Sequence, residues 1–282
     1  MKFKKRTLIV LLRLGALAFG ALFLAACTAT TSTQSKSTLT QVIERGTLRV
    51  AIVVPNPGFA VADPTGNLVG YEADIANLLA KQLGVKIEWI QTDSPGRVTL
   101  VQTGKADMAI ATFTRNLERM KVINFTDPIL QEAVVLVTTP AHSESKIADF
   151  NKAGMKISVM TGGTQVEAVQ AVLPLAEAVT FPSGDDALQA LLSGQVDAAT
   201  TGNVVVGQLI ETYPGKIKAV EGSLTPPQDD GIGLPFGDFA WWNYVNTFVH
   251  NINADGTTWS LWQNYFAKGT SPCTCSVPPP GQ

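Results

Sequence analysis

The chain alternates apolar runs of strand length with amphipathic segments of helix length, and it does so in two separate blocks. In the first block, the apolar run at residues 48–54 ends at two prolines and a glycine, and a helical pattern follows at residues 71–84. The second block restarts this rhythm at residues 156–160. Strands that alternate with helices predict parallel sheets with helices on both faces. The chain is therefore predicted to be an α/β protein.

The pattern predicts further elements in each block. Strands are predicted at residues 48–54, 86–91, 106–112, 156–160, 178–181, 196–200 and 231–234, and helices at 71–84, 97–102, 164–172, 185–192, 204–213, 239–252 and 257–266. Residues 132–139 join the two blocks. Ligands of open α/β sheets bind beyond the carboxyl ends of the strands. Two facing sheets would therefore place their binding loops on either side of one cleft.

The N-terminus has the anatomy of a secretory signal peptide. Four basic residues at positions 2–6 precede a mostly apolar run at 8–24, and small residues lead into Cys27. The alternative, a transmembrane anchor, is disfavoured because the apolar run after Arg13 is too short to span a bilayer. The ending Leu24-Ala25-Ala26-Cys27 resembles the bacterial lipobox, which implies lipidation of Cys27 and a mature protein anchored outside the cytoplasm. Residues 1–26 are thus predicted to be the leader, and the Ser/Thr-rich residues 27–38 a flexible tether.

Composition narrows the function classes. With 45% hydrophobic and 16% charged residues, the chain can fill a core, and a net charge of -2 argues against a nucleic-acid binder. Besides Cys27, the only cysteines are Cys273 and Cys275 in a Pro-rich tail at 269–282. The two histidines lie in unrelated contexts, so neither a metal site nor a cofactor is predicted.

A run of motifs, in order along the chain, resembles the family-3 extracellular solute-binding proteins of polar amino-acid ABC importers. The matching segments are residues 66–76, 94–107, 112–119, 125–128, 162–165 and 193–198. The resemblance covers residues 39–266, and an ordered set of motifs is more specific than any one of them. It implies a two-lobed, periplasmic-binding-protein-like clamshell of type II with two crossing hinge strands. Lobe 1 would comprise residues 39–131 and 234–268, and lobe 2 residues 132–233. A monomer serving an ABC permease is expected.

The resemblance also implies a ligand site. Arg119 corresponds to the arginine that holds the ligand's α-carboxylate, and its guanidinium suits that role because its planar fork matches a carboxylate. The other residues expected to contact the ligand are Thr114, Thr112, Gly163, Thr164, Gln165, Phe59 and Arg97. Thr164 could also cap the following helix, and Phe59 could instead pack in the core. If Arg97 enters the cleft, two arginines would favour an acidic amino acid or another small carboxylate.

One position departs from the family pattern. Relatives carry an aspartate five residues after Asp197, where it pairs with the ligand's α-ammonium, but this chain has Gly202. An ammonium buried without a counter-charge is costly. Either another acid replaces the missing one, with Asp230 as the candidate, or the ligand is not an ordinary α-amino acid. Val53 and Val54 stand where binders of basic amino acids carry an acid, so lysine and arginine are disfavoured.

Two other function classes remain open. The family resembles periplasmic cyclohexadienyl dehydratases, lyases on the same fold, which would need a general acid such as Glu72 or Asp93. Both residues also have ordinary structural explanations, as a first-turn helix acid and a surface loop acid. A sensor or adhesion protein would need no small ligand. The leading interpretation is a non-enzymatic solute-binding protein.

Overall fold

We describe the protein from a computed structural model, which covers residues 36–267. The predicted leader, Cys27, most of the predicted tether and the tail at 269–282 lie outside the described residues. Within residues 36–267, no helix is both long and apolar enough to cross a membrane.

The elements follow in two groups along the chain. The first group consists of α1 (Thr38–Arg45), β1 (Thr47–Ile52), β2 (Val61–Ala62), β3 (Leu68–Val69), α2 (Tyr71–Leu83), β4 (Lys86–Gln91), α3 (Gly96–Gln102), β5 (Met108–Ala109), α4 (Leu117–Met120) and β6 (Ile123–Phe125). The second group consists of β7 (Leu130–Glu132), β8 (Val134–Thr138), β9 (Lys156–Met160), α5 (Gln165–Val172), β10 (Glu177–Phe181), α6 (Gly184–Leu192), β11 (Ala198–Gly202), α7 (Val206–Thr212), β12 (Lys218–Ala219), β13 (Gln228–Asp230), β14 (Gly233–Pro235), α8 (Phe239–Ala254) and α9 (Thr257–Phe266).

Two five-stranded sheets have equivalent topologies. The first has the order β4-β1-β5-β14-β6, and the second has the order β10-β9-β11-β8-β12. In each sheet the fourth strand, β14 or β8, runs antiparallel to both neighbours, whereas the first three strands are parallel. The prediction of purely parallel sheets was therefore wrong. The chain reaches each reversed strand, β8 or β14, directly from the other sheet. It therefore enters that strand from the end opposite to the one at which the parallel strands begin.

Two short strands connect the two sheets. Strands β7 and β13 pair antiparallel, with Glu132 opposite Gln228 and Leu130 opposite Asp230. Directly after them the chain enters β8 of the second sheet and β14 of the first. The predicted pair of crossing hinge strands is confirmed.

The structure shows the two lobes in contact across the cleft. The guanidinium of Arg119 in the first lobe donates to the Gly162 carbonyl of the second lobe. The Ser94 hydroxyl lies 3.5 Å from the Met160 sulfur, and a Cβ built at Gly162 would lie 2.8 Å from the Pro95 ring. The described conformation is therefore closed.

Strand β5 is shorter than the predicted strand at 106–112, and the reason is local. Thr112 has φ 46°, a left-handed conformation that β-branched residues rarely adopt and that ends a strand. Its amide donates to Glu72 Oε1 at 2.5 Å, and its carbonyl accepts from Arg97 at 2.9 Å. Two buried ionisable side chains, Glu72 and Arg97, thus hold the turn, and the chain turns into the cleft after β5.

Candidate ligand-binding site

The cleft between the lobes contains two adjoining compartments. The larger is lined by Val53, Pro55, Asn56, Pro57, Phe59, Thr112, Glu132, Val137, Met160, Gln165, Gly184, Asp185, Ala187, Leu188, Ala199, Thr200, Thr201, Gly202, Val205 and Leu209. The smaller is lined by Arg97, Thr112, Thr114, Arg119, Glu132, Val134, Met160, Gly163, Thr164, Gln165 and Gln228. All eight residues that the sequence suggested for the site are in these two sets, and their role in binding stays a prediction.

The two compartments differ in size. The cavity volume open to the centre of a water molecule is about 110 Å³ in the larger compartment and about 20 Å³ in the smaller. One buried water needs roughly 10–15 Å³ of such volume. The smaller compartment therefore suits one compact polar group, and the larger one suits a side chain of several atoms. Four residues line both: Thr112, Glu132, Met160 and Gln165.

Arg119 projects from α4 into the smaller compartment. Asn116 caps this helix by accepting from the Arg119 amide at 2.9 Å. One guanidinium nitrogen donates to the Thr114 carbonyl at 2.7 Å, and another reaches the Gly162 carbonyl at 3.2 Å. Burial lowers the pKa of Arg119, but an arginine remains charged in proteins. The smaller compartment thus holds a fixed positive charge suited to a carboxylate.

Arg97 lies deeper than Arg119, and its donors are used by the main chain. It is 1% exposed, and it donates to the carbonyls of Ser94, Ala111 and Thr112. Its guanidinium carbon lies 4.6 Å from the centroid of the Phe113 ring. Burial, and secondarily the charge of Arg119, lowers the pKa of Arg97 to about 10. Arg97 therefore holds the loop after β5 in place. This geometry gives no support to an acidic ligand, which the sequence favoured on the condition that Arg97 enters the cleft.

The second lobe contributes the turn before α5. Thr164 occupies the N-cap position of α5, as the sequence suggested, but without a side-chain cap. Its hydroxyl instead lies 3.3 Å from Gln228 Oε1. The Gly163 amide is already bonded to the Met160 carbonyl at 3.3 Å. The first-turn amides of α5 have no partners within the helix, so they and Thr164 are the groups from this turn that suit an anion.

Phe59 packs in the core and also lines the larger compartment, so its contact with a ligand stays a prediction. It lines the larger compartment and is 3% exposed, and its ring centroid lies 5.0 Å from that of Phe266 in α9. The aromatic wall of the larger compartment is thus fixed by core packing.

Three acids lie near the two arginines: Glu72 and Asp230 are buried, and Glu132 is half-buried with a buried Oε2. Burial raises the pKa of Glu72 to about 8 and that of Asp230 to about 7. Burial, together with the charges of Asp230 and Glu72, also raises the pKa of Glu132. The Thr114 hydroxyl and the two arginines partly offset the rise at Asp230, although neither Asp230 oxygen has a hydrogen bond of good geometry. The described residues contain no cluster of His, Cys, Asp or Glu arranged for a metal ion.

Only one of these acids lines the cavity. Glu132 borders both compartments, whereas Asp230 and Glu72 belong to neither lining. The sequence pointed to Asp230 as the replacement for the missing aspartate and gave Glu132 no role in the site. No motif marks Glu132, because its position depends on how the crossing strands pair. The larger compartment is lined by no lysine or arginine among the described residues.

Comparison with known proteins defines the family. The model of the bacterial extracellular solute-binding proteins, family 3, matches residues 48–268. The chain belongs to this family. It is therefore a solute-binding protein with the two-lobed type II clamshell, as predicted from its motifs.

Individual relatives in this family are amino-acid-binding proteins. The glutamate-binding protein GluB of Corynebacterium glutamicum is 29% identical over 227 residues, covering 76% of this chain and 77% of that protein. The ABC transporter glutamine-binding protein GlnH of Bacillus subtilis is 25% identical over 260 residues, covering 89% and 94%. A crystal structure of the ancestral amino acid-binding protein AncCDT-1, a precursor of cyclohexadienyl dehydratase, has a TM-score of 0.76 and 30% identity, covering 82% of this chain and 100% of that one.

Proposed function

We propose that this chain is an extracytoplasmic, lipid-anchored solute-binding protein that captures a small α-amino acid and delivers it to an ABC permease. The observation that carries the proposal is Arg119, a charged guanidinium in a small compartment between lobes that touch around it. The ligand's carboxylate would bind Arg119, Thr114 and the first turn of α5. Its side chain would extend into the larger compartment beside Phe59.

Capture would couple ligand binding to closure of the lobes, residues 39–131 with 234–268 against residues 132–233. Groups from both lobes line the smaller compartment, so a ligand there stabilises the closed arrangement over the open one. Relatives named as amino-acid-binding proteins support a non-enzymatic role, and the Bacillus subtilis relative, named as an ABC transporter binding protein, supports an ABC permease as partner. Among residues 36–267, the larger compartment offers no lysine or arginine that could pair with a second carboxylate.

A thermal-shift screen tests the capture role. The mature chain from residue 27, with Cys27→Ser, is refolded to remove carried-over ligand and screened against the twenty amino acids, dicarboxylates, keto acids and prephenate. At a hundredfold excess over Kd, a ligand adds about 2.7 kcal/mol of stability. We expect stabilisation by at least one amino acid and its loss in Arg119→Ala. No response to any compound would refute the proposal, and turnover of prephenate or arogenate would place the chain with the lyases.

Lipid anchoring needs a separate test. Cells grown with labelled palmitate should yield a labelled protein in the membrane fraction, and Cys27→Ser should abolish both the label and the membrane association. The variant Cys273→Ser/Cys275→Ser is the matched control and should keep both. Label retained in Cys27→Ser would refute anchoring at that residue.

A further inference from the structure

The Glu132 side chain is placed in the cleft by main-chain pairing on both sides. Glu132 is the last residue of β7 and lies opposite Gln228 in β13. The next residue, Ala133, donates its amide to Asn203 Oδ1 at 2.7 Å, and its carbonyl accepts from the Asn203 amide at 3.0 Å. The backbone around Glu132 is thus tied to the hinge partner and to the end of β11. The carboxylate is held at the boundary of the two compartments.

Two buried acceptors face this boundary without a partner. Glu132 Oε2 and Gln165 Oε1 are both buried, and neither accepts a hydrogen bond in the described part of the chain. Both residues line both compartments. Buried polar atoms in native proteins are almost always hydrogen-bonded, and an unsatisfied one is costly. The pair therefore indicates a donor group on the ligand, between the carboxylate end and the side-chain end.

Gly202 leaves the space that the Glu132 carboxylate fills. A Cβ built at Gly202 would lie 2.1 Å from Glu132 Oε2 and 2.9 Å from the carboxyl carbon. The backbone does not require glycine there, because φ -75° and ψ 139° are open to any residue. A side chain at position 202 would thus displace the Glu132 carboxylate from the position that it occupies here.

The charges around this point favour a cation. Glu132 lies among the buried acids Glu72 and Asp230, and each acid disfavours the ionisation of Glu132. A ligand ammonium beside Glu132 would offset this repulsion and supply three donors, the number that a primary ammonium carries. Arg119, with the opposite charge, faces the smaller compartment that Glu132 also borders. A cation site and an anion site adjoin, as a zwitterion requires.

We propose that Glu132, with Gln165, binds the ligand's α-ammonium, and that Gly202 is the space that lets Glu132 take this position. This proposal rests on the proposed function and assigns the specificity for the amino group to the hinge strand. The Glu132 carboxylate replaces the aspartate that relatives would carry at position 202. The ligand is then an α-amino acid, and not a simple carboxylate.

The test compares amino acids with the same molecules lacking the amino group. Isothermal titration calorimetry uses four pairs: L-glutamate and glutarate, L-glutamine and glutaramate, L-methionine and 4-(methylsulfanyl)butanoate, and L-arginine and 5-guanidinopentanoate. Wild type should bind at least one amino acid a hundredfold more tightly than its partner. Glu132→Gln should weaken the binding of the amino acid at least thirtyfold and leave the affinity for the compound without the amino group unchanged. The exposed Glu177→Gln is the matched control and should change neither affinity.

A charge relocation provides the second arm. Gly202→Asp/Glu132→Ala moves the acid to the facing position and should recover most of the affinity that Glu132→Ala loses, whereas Gly202→Asp alone should weaken binding because two carboxylates would crowd. Circular dichroism checks that each variant folds. Unchanged discrimination in Glu132→Gln, with binding still lost in Arg119→Ala, would overturn this proposal and leave the proposed function intact. No binding of any of the eight compounds, together with silence in the thermal-shift screen of all twenty amino acids, would overturn both.

Discussion

The ionisation of Glu72 makes the stability of the ligand-free protein depend on pH. Glu72 is 2% exposed, its Oε1 accepts from the Thr112 amide, and its Oε2 is buried without a partner. Burial is the largest cause of its raised pKa, and the charge of Asp230 adds to it, while the Thr112 amide and Arg97 oppose it. The folded protein therefore holds a proton on Glu72 at pH values where the unfolded chain has released it.

The sign and the size of this change in unfolding free energy follow from the linkage between proton binding and folding. The pKa rises from 4.5 to about 8, so the folded state binds more protons than the unfolded state between these values. Stability is fully present below about pH 4.5 and is lost as the pH rises towards 8, at about 1.4 kcal/mol per pH unit for one group. Between pH 5.5 and 7.5 the loss is about 2.7 kcal/mol. This is an upper bound, because local relaxation would let water reach the ionised carboxylate.

The assay compares urea unfolding of wild type and Glu72→Gln at pH 5.5, 6.5 and 7.5. Glutamine mimics the protonated acid and keeps an oxygen for the Thr112 amide. The unfolding free energy of the variant should therefore lack the pH dependence that Glu72 contributes to wild type. We expect the difference in unfolding free energy between the two proteins to change by about 2 kcal/mol across this range, in favour of the variant at high pH. Glu177→Gln should run parallel to wild type. Parallel curves for Glu72→Gln would refute the assignment of the buried proton.

Four further substitutions test the packing, the glycine conformations and the ion pairs of the fold, each by urea unfolding. Phe113→Leu should cost about 1–3 kcal/mol, because the ring contacts both cleft arginines at 4.6 and 5.1 Å; a neutral effect would contradict its supporting role. Gly70→Ala should cost more than about 3 kcal/mol, since φ is 136° and the new Cβ would lie 2.3 Å from the Phe59 carbonyl oxygen. Gly84→Ala, at φ 68° in open space, should cost only about 1–2 kcal/mol, and equal losses would argue against the clash. Asp107→Asn should cost about 2–4 kcal/mol, because the buried carboxylate pairs with Arg45 and Arg49; a loss below about 1 kcal/mol would show that the pairs contribute little.

Most of the local structure could be predicted from periodicity. The predicted strands at 86–91 and 156–160 and the helix at 257–266 match the observed bounds, because each depends on a repeat of two or 3.6 residues in one segment. Glycines at the ends of α1 and α2 mark helix stops, with φ 69° and 68°. The order of motifs identified the family before any geometry was known.

The direction of single strands was not predictable in this way. An apolar run such as β8 is equally compatible with parallel and antiparallel neighbours, and only the path of the chain through the crossing strands reversed it. Thr112 likewise stands at the end of a predicted strand, but the buried side chains of Glu72 in α2 and Arg97 in α3 hold it in a left-handed turn. Tertiary contacts overrode local preference at both places.

The sequence by itself determined the alternating elements and the family, and it pointed to Arg119 as a cleft residue, because each is carried by neighbouring residues. Tertiary structure decided which charged side chains line the cleft and are free to bind. Arg97 donates to main-chain carbonyls, and Asp230 lies outside the cavity lining. Glu132 lies beside Gly202, although the two strands that carry them are distant in the chain. Gly202 and Glu132 lie 70 positions apart, and only folding brings the space beside the glycine and the carboxylate together. A rule based on the spacing of residues along the chain therefore does not predict this contact.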